Sequence, residues 1–599
     1  MSSEPADRHQ AARGRASVDR ATLEARSLRL TRLRLSSFGA LVLVAVLAYD
    51  GRLAWWWVAL PVVVFVALVL RHERVHAAID RASRSIAHHD DALARLEDRW
   101  AGHGNPGTHL QPSGHPYARD LDLFGSGSLF ELLCTTRTRA GERTLADWLL
   151  QAATPERVSA RHAAVEELRE RLELREQLAI AGADVQAGLD PEALARWGTQ
   201  APASSPAAGR RARVLSWLAA GAFVLALAAW QWLDAPATIV VGVVVLRWLA
   251  LAHLRTFVQR TDAAVERPAR ELEVMAELFA RLEREPFEAP YSSELQRVLA
   301  TGTDSAAHAV RDLQRRVQWL QMRRSAPLGP LLWFVCFGEL LTLSIERWRL
   351  RHGPQLQRWF DALGELEALA ALSAYAFGRP TAVWPELVDG PACLHGEGLT
   401  HPLLPARACV ANDVALGEPV RALVISGSNM AGKSTYLRTL GINVVLAQAG
   451  APVCATRLRL SPLAIGASIR VEDSLRGGAS RFSAELARLQ QIVALLDHDM
   501  PVLFLLDEIL HGTNSDDRRQ GAAAILHRLV DAGAIGMMTT HDLAIAHDVV
   551  ADAPRIRNVH FAETLAGNAL AFDYRMKDGI VRSSNALALM RAMGLLPPA

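Results

Sequence analysis

The feature that most constrains this chain is a strand, a glycine-rich turn and a helix start that follow one another without a break. Ala422–Ser426 reads Ala-Leu-Val-Ile-Ser, the composition of a buried strand. It runs into Gly427-Ser428-Asn429-Met430-Ala431-Gly432-Lys433-Ser434-Thr435 and then into a helical pattern opening with Tyr436-Leu437. This is the G-x-x-x-x-G-K-S spacing in the strand–loop–helix context that it needs. The glycines let the backbone curl so that its N–H groups point at phosphate oxygens, and the helix N-terminus adds partial positive charge. Lys433 is expected to reach the β- and γ-phosphates of a nucleotide, and Ser434 to ligate Mg²⁺. Of the 65 basic residues only Lys433 and Lys577 are lysines, so a compact ammonium stands at this turn in a chain that otherwise uses arginine.

Two more apolar runs end in chemistry-bearing residues. Residues 502–506 lead into Asp507-Glu508, with the acidic pair at the carboxyl end of the strand, where ligands sit in parallel sheets. Asp507 is expected to hold Mg²⁺ through water, and Glu508 to orient or deprotonate an attacking water. Residues 535–539 run into Thr540-His541-Asp542, which sets His541 to contact a γ-phosphate. From about residue 400 such runs alternate with helical patterns, the signature of a parallel α/β domain.

The rest of the chain has a different texture. Its 599 residues allow about four domains. With 50% apolar and 21% charged residues, wholesale disorder is excluded. A mean hydropathy of +0.10 points to local apolar runs. A net charge of +2 gives no global field that would announce a polyanion partner. Cys134, Cys336, Cys393, Cys409 and Cys454 lie far apart, which excludes a zinc ribbon and a disulfide framework and fits a reducing compartment.

Residues 1–36 are polar, with eight arginines against four acids and no secretory cleavage pattern. Apolar runs then occupy 38–49 and 53–70, separated by Asp50-Gly51-Arg52, with Trp55-Trp56-Trp57 beside the turn. A second pair occupies 214–233 and 237–254 around Asp234-Ala235-Pro236, with Arg247 near enough to its end to snorkel. Arginines flank both pairs on the outside while the turns hold only Arg52, so the positive-inside rule puts both termini in the cytoplasm. Two transmembrane hairpins are therefore expected. A third stretch, 328–343, carries Glu339 and Pro330 and reads as a buried helix. Residues 121–189, 256–325 and 344–376 read as Arg/Glu-rich amphipathic helices of a scaffold with solvated charged faces.

The wording of the motifs resembles the MutS family, and their spacing the ABC-type ATPases to which that family is related. The Asn429-Met430 pair in the glycine loop is a distinguishing feature of it. Asp473-Ser474-Leu475-Arg476-Gly477-Gly478-Ala479-Ser480-Arg481-Phe482-Ser483-Ala484-Glu485 resembles the MutS signature segment, and Arg481 stands where the family usually has threonine. Asp507-Glu508 followed by Gly512-Thr513-Asn514 is similar to its acidic pair and crossing loop. A weaker likeness to the MutS helical core lies in Ser128-Leu129-Phe130-Glu131, Thr138, Gly141 and Ala164-Val165-Glu166-Glu167-Leu168.

The resemblance implies a C-terminal α/β P-loop NTPase domain of ABC type over 399–599. Before it, in chain order, come a basic segment (1–36), a hairpin (37–74), the first part of a helical core (75–212), a second hairpin (213–255) and a helical lever (256–398). It further implies ATP and Mg²⁺ as cofactors. Gly427, Asn429, Met430, Gly432, Lys433, Ser434 and Thr435 would bind the nucleotide, Ser434 and Asp507 the metal, and Glu508 and His541 would serve hydrolysis. Gly478 and Ser480 would reach the nucleotide of a partner in a homodimer. No mismatch-reading domain with a Phe-x-Glu wedge, no DNA clamp and no Smr-like extension are evident. The chain is thus expected to be a multi-pass protein of the cytoplasmic membrane, its ATPase domain in the cytoplasm, coupled to mismatched or branched DNA. The alternative is an ABC-like membrane-associated ATPase acting on protein or membrane partners without DNA.

Overall fold

The computed structural model describes residues 4–182, 191–201, 206–250, 269–300, 305–322, 337–428, 430–470, 481–511, 513–550, 554–566 and 569–581. Among the described residues, every element up to Gly378 is helical. Helices α1 (Glu4–Tyr49) and α2 (Ala59–Leu96) form an antiparallel hairpin, in which His9 meets His89, Ser27 meets His76 and Phe38 meets Phe65. The polar N-terminal segment is thus one helix with the first apolar run. Residues 15–38 contain no Gly or Pro and are rich in Arg, Leu and Ala, so nothing interrupts the helical ladder. Apolar side chains near the turn face outward, with Trp56 65%, Val63 64% and Leu43 60% exposed. The other end of α1 is tied to the helical core, where Arg8 pairs with Glu170 at 2.6 Å and lies over the Phe377 ring.

A second apolar pair is formed by α8 (Pro206–Trp232) and α9 (Thr238–Ala250), and residues 251–254 of its second run lie outside the described residues. Among the described residues, three helical stretches, Glu4–Tyr49, Trp55–Leu96 and Arg210–Trp232, are long and apolar enough to cross a membrane by length and composition. The first part of the 328–343 stretch also lies outside the described residues. From Phe337 it opens the helix α13 (Phe337–Gly378), with Thr342 and Leu343 buried.

The core of the helical region packs α3 (Leu129–Leu133), α4 (Arg139–Leu150), α5 (Pro155–Arg169), α6 (Leu172–Gly182), α7 (Pro191–Thr199), α10 (Ala269–Arg284), α11 (Pro290–Ala300) and α12 (Ala306–Met322) around α13. Ser128, Thr138 and Thr154 cap α3, α4 and α5 through their hydroxyls, and Pro155 opens α5 with the fixed φ that suits a first turn. α13 is not a helix with a broad solvated face. Trp359, Leu363, Leu366 and Leu369 are buried, and its Glu346 and Arg349 pair with each other at 2.7 Å within the core.

Beyond Gly378 the described residues build two sheets. The larger runs β10-β9-β4-β8-β7-β6, with β4 (Ala422–Ser426), β6 (Ala464–Ser468), β7 (Val502–Asp507), β8 (Ile535–Thr540), β9 (Ile556–Ala566) and β10 (Ala569–Asp578). Its pairings are parallel except for the β9–β10 hairpin at one edge. β4 and the apolar part of β7 are buried along their whole length, which explains their unalternating composition. The smaller sheet runs β1-β5-β2-β3, from β1 (Glu386–Leu387), β2 (Leu394–Leu399), β3 (Asn412–Leu416) and β5 (Arg457–Leu460). It begins upstream of the boundary expected at residue 399. Its short strands alternate buried and exposed positions, as in Arg457-Leu458-Arg459-Leu460. Helices α14 (Lys433–Ala449), α15 (Arg481–Ala494), α16 (Ser515–Asp531) and α17 (Leu543–Val550) accompany the sheets.

The helical region docks on this domain along α14. Arg161 of α5 donates to the Ala449 carbonyl at the end of α14 (3.2 Å), and Arg438 of α14 donates to the Asp120 carbonyl (3.1 Å).

Candidate functional site

Parallel strands put their carboxyl ends on one edge. Here β8 lies between β4 and β7, with Ser426 opposite Thr540 and Asp507 opposite Thr539. The glycine loop after β4, the acidic pair after β7 and His541 after β8 therefore converge. The loop turns through Gly427 (φ 149°) and Gly432 (φ 93°), conformations that favour glycine, and Gly432 hands the chain to α14. Lys433 starts that helix, and its side chain is 3% exposed. Its ammonium donates to the carbonyls of Gly427 (2.7 Å) and Ser428 (3.0 Å) and pairs with Glu508 Oε1 at 3.1 Å. The ammonium is thereby fixed at the mouth of the loop, beside the backbone amides of the α14 N-terminus. Ser434 is half-buried, whereas Thr435 and Met430 are exposed. Asn429, Gly478 and Ser480 lie outside the described residues.

Asp507 accepts a hydrogen bond from the Thr539 hydroxyl. Glu508 leaves the strand with a left-handed φ of 47°, and its N–H donates to the Thr539 carbonyl (3.2 Å) and Oγ1 (3.1 Å). That bend turns the Glu508 carboxylate back across the end of β8. Its Oε1 faces Lys433, while its Oε2 faces His511 Nε2 (3.2 Å) and His541 Nδ1 (3.3 Å). The two imidazoles stack, with centroids 5.2 Å apart and planes 13° from parallel. Burial alone would raise the Glu508 carboxyl. The Lys433 ammonium, helped by His541 and His511, outweighs that and holds it below the usual carboxylate range. The group is an ionised acceptor at neutral pH, able to take a proton from water.

Lys433, Glu508 and His541, singled out from the sequence, thus come together, with Asp507 beside them through Thr539. Two residues that sequence reasoning missed join them. Thr539 ties Asp507 to the Glu508 backbone, and nothing in a buried strand singled it out. His511 stands three residues after Glu508, a spacing that could have drawn attention to it. Glu485, which closes the signature segment read from the sequence, is 3% exposed and accepts from the Leu510 N–H, linking the start of α15 to the loop after β7.

Residues 423–598 match the family model described as MutS domain V. The chain is similar to "DNA mismatch repair protein MutS 2" of Halobacterium salinarum, 34% identical over 273 residues, covering 44% of this chain and 30% of the relative. It is likewise similar to "Endonuclease MutS2" of Thermomicrobium roseum, 37% identical over 265 residues and covering 40% of this chain and 32% of the relative. For "DNA mismatch repair protein MutS" of Natronomonas pharaonis the figures are 32% over 250 residues, 40% and 28%. The match thus spans about a third of these relatives' own length.

Proposed function

We propose, for a chain that belongs to the MutS family through its C-terminal domain, that it is a membrane-anchored ATPase working as a homodimer and coupled to mismatched or structured DNA. The observation that supports the ATPase part of this reading is the meeting of Lys433 and Glu508 at 3.1 Å, each delivered by a different strand end. The positive-φ glycines of the loop and the hard oxygen donors of Ser434 and Asp507 fit a nucleotide with Mg²⁺, which supplies Lewis-acid polarisation of phosphate oxygens when bound. Gly427, Asn429, Met430, Gly432, Lys433, Ser434 and Thr435 would cradle the phosphates. Lys433 would neutralise charge on them. Glu508, kept ionised by Lys433, would accept the proton of the attacking water, with His541 holding its second oxygen. Gly478 and Ser480 would complete the partner subunit's site, and hydrolysis would change the disposition of the helical arms. Both apolar hairpins would anchor the chain in the cytoplasmic membrane with the ATPase domain in the cytoplasm.

The full chain in detergent tests the reading directly. Lys433→Ala is expected to abolish nucleotide binding. Glu508→Gln is expected to keep binding and lower turnover by about 10²–10⁴-fold, the range for loss of a general base. A Gln variant hydrolysing ATP at the parental rate would remove Glu508 from that role. The outward-facing apolar helices favour a second reading, an ABC-like ATPase acting on membrane or protein partners without DNA. Salt-dependent binding to duplex, mismatched and branched DNA separates the two.

A further inference from the structure

We propose that Glu508, His511 and His541 form a site for a borderline divalent transition-metal ion such as Zn²⁺, distinct from the Ser434/Asp507 oxygen set, and that its occupancy silences hydrolysis. The second half rests on the ATPase reading above; the first does not.

The geometry supplies the donor set. One carboxylate oxygen, Glu508 Oε2, faces His511 Nε2 at 3.2 Å and His541 Nδ1 at 3.3 Å, and all three ligand atoms lie within 4.8 Å of one another. Zinc bonds of about 2.0–2.1 Å in tetrahedral array separate neighbouring ligand atoms by about 3.3 Å. The carboxylate–imidazole spacings are those an ion on Oε2 would impose. Lys433 engages the other oxygen, Oε1, and need not be displaced. Two imidazoles and one carboxylate select Zn²⁺, Co²⁺ or Ni²⁺ over Mg²⁺, which prefers oxygen alone.

The surroundings accept a cation. Glu508 Oε2 is turned to the two imidazoles and away from Lys433, and the nearby Asp542 lies 3.8 Å from Arg518. The His541 side chain is 43% exposed, so an ion can enter from solvent and keep an open position. Glu508 and His541 directly follow the adjacent strands β7 and β8, and His511 lies three residues beyond Glu508 in the loop after β7. An ion on Oε2 would draw electron density from the whole carboxylate, weakening it as the acceptor of the water proton, and would hold His541 away from other work.

Cobalt is the spectroscopic probe. The full chain in detergent, titrated with Co²⁺, is expected to develop the visible d–d absorption of a low-coordinate ion, saturating at one ion per chain. Stoichiometric Zn²⁺ should bleach it. His511→Ala and His541→Gln should each weaken Co²⁺ binding by at least about tenfold, with circular dichroism establishing that both variants are folded. Asp507→Asn should retain the band. Absence of the band, or its persistence unchanged in both folded histidine variants, would overturn the site. With saturating Mg²⁺ and ATP, one equivalent of Zn²⁺ is expected to lower turnover at least tenfold, reversibly by chelation. Turnover indifferent to bound Zn²⁺ would overturn the regulatory half. A chain that binds Co²⁺ but hydrolyses nothing with Mg²⁺ in buffer free of transition metals would instead overturn the ATPase reading and leave the metal site standing.

Discussion

Glu367 shows how one side chain in the helical core makes stability depend on pH. It lies on α13, fully buried, where its carboxylate accepts from the Arg137 N–H (3.0 Å) and contacts the Thr138 hydroxyl. Burial, foremost, pushes its carboxyl up to about 7, and the bonds from Thr138 and Arg137 offset this only in part. The folded value lies above the unfolded one, so the stabilising contribution is whole below about pH 4.5 and is lost as pH rises through 7. By linkage the loss amounts to about 3 kcal/mol. Glu367→Gln keeps an acceptor for Arg137 and offers Thr138 a donor. The variant is expected to gain stability over the parent by about that amount at pH 8 and to lose the advantage by pH 4.5, as read by urea unfolding. Parallel pH dependences for parent and variant would show that Glu367 is not the group responsible.

At the scale of elements, the 115–122 segment grips both flanks of the signature segment. Asp120 is 1% exposed. Its Oδ1 accepts from the N–H groups of Ile469 (2.7 Å) and Arg470 (2.9 Å), at the end of β6, and its Oδ2 pairs with Arg488 of α15 at 3.2 Å. Residues 471–480, with Gly478 and Ser480, lie between these two anchors. One buried carboxylate of the helical region thus ties the two ends of the segment on which the partner's site is proposed to depend. Asp120→Ala would leave two N–H groups and a guanidinium without their partner and is expected to cost about 3–5 kcal/mol. Asp120→Asn keeps a carbonyl for the amides but loses the Arg488 pair. It is expected to leave nucleotide affinity within about twofold and lower turnover about tenfold, since Lys433 does not touch it. Equal losses in affinity and turnover would argue against this coupling.

For the whole molecule, the α1–α2 hairpin is a stalk. At 1.5 Å per residue the 46 residues of α1 extend about 70 Å, from the contact of Arg8 with Glu170 to the exposed apolar turn. If the apolar ends sit in a bilayer, burial rather than charge holds them, so membrane association is expected to survive high-salt washing and to yield to detergent. It should depend on both apolar pairs. Release of the intact chain by salt alone would refute the anchoring. The dimer is tested by mixing Ser480→Arg with Lys433→Ala subunits. Each homodimer should be inactive, one lacking the trans contact and the other the nucleotide. In a mixed dimer both defects fall in one composite site and leave the other intact, so partial recovery is expected. Unchanged activity of Ser480→Arg by itself would sink the trans site.

What was legible in the sequence was local. The strand–loop–helix around Lys433, the strand ends at Asp507 and His541 and the apolar runs are each carried by spacing and composition within a few residues, where backbone sterics and hydrophobic periodicity act. The small sheet was harder to see, because strands such as Arg457–Leu460 are short and signalled only by alternation. The continuity of α1 through its charged half was equally hidden, since polarity alone does not separate a helix from a loop. Which elements meet was decided by tertiary structure. β8 inserts between β4 and β7, so that Lys433 and Glu508, far apart in sequence, form an ion pair, and His511 joins them only through the bend at Glu508. Asp120 and Arg470, 350 positions apart, meet because two regions pack as one body around a common core. Such pairings depend on the free energy of packing the whole chain, which no local window of sequence contains.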